Sequence, residues 1–390
     1  MKIFAYNNNT CTRVKLYGLD VIELFKINNN EIVDDKNNAD IIIINTCSFL
    51  KSKELYFLGF IKIINKEKLP HQKIMIIGCL PSVNKEDIIK IDSDILMFGR
   101  DIEKIKEYFK FKKLPKTKAT TVKDKLPIKK KIIYIFNKLF LHSKHIEYRL
   151  KRNKVCYLQI STGCLGTCTY CSEKFTTNLK SRPVKEIIDT IYDGISRGFT
   201  LFGLNSDDAS AYGKDINSSL EELLTEIVKI KEDIYFSIPE FNPNGLTDKV
   251  IELLKDKKFL YITVPIQSGS QRILNLMQRP YNIKKVKDKI TKLRKINKKL
   301  MINTHVIVGF PSESERDFNM TNDLLNTGLF DRVKVFCYNE RPNTKALSIE
   351  PKISEEIKQQ RKEILLKTIK KQNLKKLSLT NIILNKEQLK

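Results

Sequence analysis

The sequence predicts an α/β protein in two parts, an N-terminal doubly wound parallel sheet domain followed by a partial (β/α)6 barrel. Three observations carry this. Short apolar runs of strand length alternate with helical periodicity along most of the 390 residues. The run Ile41-Ile-Ile-Ile44 is apolar on both faces, as a parallel strand covered by helices on each side must be. A loop dense in cysteine directly follows the first apolar run of the second part, where open sheets and barrels place their chemistry.

The first part, residues 1–110, reads as strands over 2–6, 40–45, 73–77 and 94–98, with helical patterns such as 14–26 and 51–66 between them. Cys11, Cys47 and Cys79 each follow one of the first three strands. Parallel strands end on one side of a sheet, so three cysteines distant in sequence are expected to meet there as a second three-thiolate site. The bland reading is that they are small buried residues at strand ends.

Residues 111–153 form a basic connector containing Lys129-Lys-Lys131 and an apolar run over 132–141, which reads as an interdomain packing helix or a surface for acidic membrane or RNA. The second part, 154–350, repeats strand and helix: strands over 155–160, 199–204, 234–238, 259–265, 300–308 and 332–338, helices over 184–196, 220–230, 247–254, 283–296 and 314–325. Six such units argue for a partial barrel, since a closed one has eight. A basic helical tail, 351–390, with its helix over 354–371, ends the chain, and no further β-rich module is expected.

Composition narrows the function. Hydrophobic residues make up 41%, enough for globular cores. No signal-like segment or long uncharged span occurs, so a cytoplasmic protein without stable membrane insertion is expected. Eight cysteines in such a chain read as thiolate ligands rather than disulfides. The formal charge of +26 favours a polyanionic partner, although the shared richness in Lys, Asn and Ile also fits an AT-rich genome.

The sharpest signal is Ser161-Thr-Gly-Cys-Leu-Gly-Thr-Cys-Thr-Tyr-Cys171. Three thiolates in one loop suit an iron-sulfur cube and leave one of its four irons free to hold something else. A closed zinc site would want a fourth ligand. The spacing of Cys164, Cys168 and Cys171, with Tyr170 before the last, resembles the radical S-adenosylmethionine (SAM) superfamily. Together with Asn45-Thr-Cys-Ser48, Gly78-Cys79, Ser181-Arg-Pro183, Pro265-Ile-Gln-Ser-Gly-Ser270, Val308-Gly-Phe-Pro311 and Arg341-Pro-Asn-Thr344, it resembles the methylthiotransferase family over nearly the whole chain. Ser161-Thr-Gly-Cys-Leu-Gly166 and Asn205-Ser-Asp-Asp-Ala-Ser-Ala-Tyr-Gly213 are most similar to the archaeal and eukaryotic branch, which modifies N6-threonylcarbamoyladenosine beside the tRNA anticodon.

The resemblance implies two 4Fe-4S clusters, one on Cys164, Cys168 and Cys171 that binds SAM, the other on Cys11, Cys47 and Cys79. It also implies a tRNA substrate and a reductant such as flavodoxin or ferredoxin. Tyr170, Gln267, Ser268 and Asp208 are the expected SAM contacts, while Asp207 and Asp208 read equally as substrate contacts or caps of the following turn. Cys156 and Cys337 match no ligand position. The run Asn7-Asn-Asn-Thr-Cys-Thr-Arg13 departs from the family pattern around its first cysteine, and Phe175-Thr-Thr-Asn178 replaces an Arg-Gly pair. Two further readings stay open: a ribosomal protein or peptide as substrate, and a non-catalytic protein that keeps both clusters.

Overall fold

The structure, a computed structural model, describes residues 1–115 and 155–387, with side chains to 373. Most of the expected connector, including the apolar run over 132–141, lies outside the described residues.

The first sheet contains β1 (Lys2–Tyr6), β2 (Glu31–Ile32), β3 (Ile41–Thr46), β4 (Lys73–Gly78) and β5 (Leu96–Gly99), all parallel, in the order β2-β1-β3-β4-β5. Every residue of β3 is buried, as its isoleucine run requires of a central strand. Apolar side chains form a core on each face, Ile42, Ile44, Phe57, Ile61 and Ile74 on one and Ile3, Val21, Phe25, Ile43 and Met75 on the other. The short edge strand β2 carries no apolar run and is set by pairing with β1.

The second sheet takes β6 (Val155–Gln159), β9 (Leu201–Asn205), β10 (Tyr235–Ile238), β11 (Phe259–Thr263), β12 (Met301–Val308) and β13 (Arg332–Cys337) in chain order, again all parallel. This is the expected six-stranded partial barrel, open between β6 and β13. A small antiparallel pair, β7 (Ser161–Thr162) with β8 (Lys180–Ser181), brackets the cysteine loop and was not expected. The last helix runs Glu355–Glu387, well past residue 371. No helix among the described residues is long and apolar enough to cross a membrane.

The first domain packs across the open side of the barrel. The helix Thr12–Ile27 lies against β6, and the ring of Phe49 meets that of Phe336 edge-on at 5.7 Å. Arg341, beyond β13, donates to Glu54 (2.6 Å) and to the carbonyl of Ser48 (2.6 Å), and all three are buried.

On the barrel exterior, Ser314 and Asp317 form a reciprocal capping box at the start of the helix Glu315–Asn326. Asp317 also accepts from Ser270 (2.6 Å) and Arg272 (3.2 Å), tying that helix to the helix Gln271–Leu276. Burial raises its pKa, but these bonds outweigh burial and hold the carboxyl well below the usual carboxylate range. A depressed carboxyl contributes stability above its unfolded pKa of about 4 and loses it as pH falls below that value. Asp317→Asn is therefore expected to lower unfolding stability at neutral pH by about 1–3 kcal/mol, with the deficit shrinking in acid, as read by urea unfolding at several pH values.

Candidate active site between the two sheets

Three neighbouring strands of the first sheet each end on a cysteine loop. Cys47 follows β3 directly, Cys79 follows β4 directly, and Cys11 caps the helix after β1. Gly78 makes the approach possible, since its φ is +93° and an added Cβ would stand 2.2 Å from the carbonyl oxygen of Thr46. Only glycine fits there. The thiols of Cys11 and Cys47 hydrogen bond to each other, and Cys79 interacts electrostatically with both. The Cys47 bond, opposed by burial but aided by Arg13, holds Cys11 well below the ordinary thiol range, whereas burial pushes Cys79 up to about 12.

The barrel supplies the second set. Cys164, Cys168 and Cys171 line a cavity at the carboxyl end of the strands. The N–H of Gly166 points at the sulfur of Cys164 (3.2 Å), and Nη1 of Arg279 lies 3.5 Å from that of Cys168. A Cβ on Gly166 would stand 3.2 Å from one sulfur and 3.6 Å from the next, so the glycine lets the loop fold around them. Burial pushes Cys164 and Cys171 up to about 12. Three thiols on one loop facing a cavity fit the soft donor set that an iron-sulfur cube takes. Among the described residues no three His, Cys, Asp or Glu side chains converge as ligands of a single ion. Cube ligands each take a different iron and have no single point to converge on.

Of the expected SAM contacts, Tyr170, Gln267 and Asp208 line this cavity. Gln267 adopts φ 61°, and its side-chain oxygen is buried without a hydrogen-bond partner among the described residues. Tyr170 packs edge-on to Phe310 at 6.5 Å. Asp208 caps the following turn: Oδ1 accepts from the N–H of Ser210 (2.9 Å) and of Asn242 (3.2 Å), while Oδ2 lies 3.9 Å from the sulfur of Cys164. Ser268 is the exception. It is fully buried, its hydroxyl pairs with Thr321 (3.2 Å) and receives the N–H of Ser270 (3.1 Å), and it does not reach the cavity. The turn into the next helix uses that oxygen.

Several site residues gave no sequence signal as a group. Arg13 bridges Glu173 (3.2 Å) and Asp207 (3.1 Å), and Arg100 reaches Asp207 at 2.8 Å. Burial disfavours the Asp207 carboxylate, yet Arg100 and Arg13 hold it down to about 2. Glu240, at the end of β10, is pushed up to about 7 by burial, and burial with Lys334 pushes His305 down to about 3. His305 is therefore neutral at physiological pH. Cys337, which matched no ligand position, also lines the cavity. The cavity meets the first domain at Arg13, Phe49 and Leu50; Cys11, Cys47 and Cys79 are not among its lining residues.

Comparison with known proteins agrees with this division. A family model described as the Radical SAM superfamily matches residues 158–325, and one described as Uncharacterized protein family UPF0004 matches residues 13–99. The chain is 32% identical over 355 residues to the tRNA-2-methylthio-N(6)-dimethylallyladenosine synthase of Aquifex aeolicus, covering 88% of this chain and 78% of that protein. It is 30% identical over 360 residues to the ribosomal protein uS12 methylthiotransferase RimO of Acetivibrio thermocellus, covering 89% and 77%. It is 28% identical over 350 residues to the probable threonylcarbamoyladenosine tRNA methylthiotransferase of Pyrococcus horikoshii, covering 88% and 78%. Among solved structures, the radical SAM methyltransferase TsrM of Kitasatospora setae aligns with a TM-score of 0.65 at 12% identity over 88% of this chain and 74% of that one, a likeness of fold.

Proposed function

The chain belongs to the methylthiotransferase family of radical SAM enzymes, transferases that work with SAM and two 4Fe-4S clusters, and from that premise we propose that Cys164, Cys168 and Cys171 hold one cluster and Cys11, Cys47 and Cys79 the other. The observation that carries this reading is that each domain gathers three cysteines beyond the ends of its parallel strands, with Arg13, two residues after Cys11, paired to Glu173, two residues after Cys171. When bound, these groups supply a 5′-deoxyadenosyl radical able to take hydrogen from an unactivated carbon, and the sulfur and methyl group that replace it.

The chain's own part is to hold, orient and keep dry. Gly166 and Arg279 direct N–H donors at two of the sulfurs. Gln267 offers a free acceptor and Tyr170 an apolar wall beside the third cysteine, the pair of features expected to orient SAM. Phe49, Phe241, Ile307 and Phe336 close the cavity with apolar surface, which excludes water from a reactive carbon radical.

As substrate we propose a tRNA base next to the anticodon, N6-threonylcarbamoyladenosine. The net charge of +26 supports a polyanion, and Lys284, Lys285, Lys287, Lys292 and Lys295 form an exposed basic face on one barrel helix. Nucleoside mass spectrometry of total tRNA from a host lacking the modification, with and without the gene, tests this. The expected result is a methylthio-adenosine derivative that appears only with the intact gene. Unchanged tRNA together with a methylthio group on ribosomal protein uS12 would overturn the tRNA assignment in favour of a protein substrate.

A further inference from the structure

The two three-cysteine sites are joined by four charged side chains, two from each domain. Arg13 stands two residues after Cys11, and Glu173 two residues after Cys171; they pair at 3.2 Å. Asp207 binds Arg13 (3.1 Å), Arg100 (2.8 Å) and, through Oδ2, the N–H of Gly163 (2.6 Å), the residue before Cys164. Arg100 in turn acts electrostatically on Cys79. The cluster thus touches the chain beside three cysteines and the field of a fourth, drawn from both sets.

Its burial says what it is for. The side chains of Arg13, Arg100 and Asp207 are 10%, 2% and 4% exposed, and Arg100 leaves Nε and Nη2 buried without partners among the described residues. Taking such groups out of water costs more than an apolar contact of the same size, so a buried network is weak support for stability and serves better to fix one geometry. Arg and carboxylate forks restrict both distance and angle. An apolar interface would hold the domains together without setting their register to a fraction of an ångström.

Resting on the reading of both sets as cluster sites, we propose that Arg13, Glu173, Asp207 and Arg100 are positioning residues that fix the spacing between the two clusters and place Arg13 as the partition between them. The network acts on transfer between the sites. Its loss is expected to lower sulfur insertion, which needs both sites, far more than SAM cleavage, which needs the barrel site.

The test uses the full chain with both clusters, comparing wild type with Asp207→Asn, which keeps an acceptor for Gly163 and removes the charge shared by the two arginines. Iron content, the magnetic coupling between the two reduced clusters by electron paramagnetic resonance, and methylthio product per 5′-deoxyadenosine released are measured. The expected result is iron content like wild type, weakened coupling, and a product ratio about a hundredfold lower, the loss that a displacement near 1 Å brings. Unchanged coupling and ratio overturn the proposal. Should Asp207→Asn fail to take up iron, Arg13→Lys replaces it, since it keeps the charge and loses the two-nitrogen span from Glu173 to Asp207; unchanged coupling there overturns the proposal equally. The coupling needs no substrate, so a wrong substrate leaves it readable, and a wild type holding only one cluster's iron would instead refute the two-cluster reading.

Discussion

Replacing Cys168 by alanine is expected to abolish 5′-deoxyadenosine formation and methylthio product together and to remove roughly half of the bound iron, one cluster of two. Cys168 is the middle cysteine of its loop, 8% exposed, with a guanidinium nitrogen of Arg279 at 3.5 Å from its sulfur. Two thiolates cannot hold a cube against solvent, and the substitution leaves the buried Arg279 facing an empty corner. The informative contrast is Cys156→Ala. Cys156 lies in β6, fully buried in the barrel core and away from the cavity. Its loss removes one heavy atom from a packed interior and is expected to cost about 1 kcal/mol of stability while leaving iron content and product unchanged. Iron analysis and product assays on the two variants check both. A Cys168→Ala protein that keeps full iron and cleaves SAM would remove the loop as the SAM site.

The strands were legible because their chemistry is local. Ile41 to Ile44 can hardly be anything but a buried parallel strand, and three cysteines spaced within eight residues announce a metal loop from the sequence alone. Strand ends in a parallel sheet share a side, so the gathering of Cys11, Cys47 and Cys79 followed from topology once the strands were placed. What escaped was set by long-range pairing. The two-residue strands β2, β7 and β8 exist because a partner lies beside them, not because of any run of their own. Arg13, Arg100, Glu173 and Asp207 are ordinary charged residues in a chain that is 30% charged, and only the docking of two domains pairs them. His305 did leave a trace, as the one titratable residue in the apolar strand β12, and the free oxygen of Gln267 depends on a positive φ that its sequence context does not announce. Ser268 read with Gln267 as a SAM contact because both stand at the end of a barrel strand, yet its oxygen accepts within the turn into the following helix.

Arg341→Leu is expected to destabilise the protein by about 3 kcal/mol, the low end of the range for breaking a buried ion pair. Glu54 is fully buried, and Arg341 reaches it at 2.6 Å while its second nitrogen holds the carbonyl of Ser48, next to Cys47. The low end applies because Glu54 keeps two other partners, Lys51 at 2.8 Å and Asn84 at 2.9 Å. Removing the arginine therefore strands a carboxylate that is only partly compensated, and it frees the segment carrying Cys47 and the cavity wall at Phe49. If the cost lies in that stranded charge, Glu54→Leu in the same chain should recover most of the lost stability, since a matched apolar pair avoids the desolvation of both ions. Product formation should not recover with it, because leucine offers no donor to Ser48 and the loop beside Cys47 stays unanchored. Urea unfolding of the single and double variants reads the first quantity and product assays the second. A double variant restored in both would show that Arg341 serves the fold alone, and that the position of the Cys47 loop is secured elsewhere.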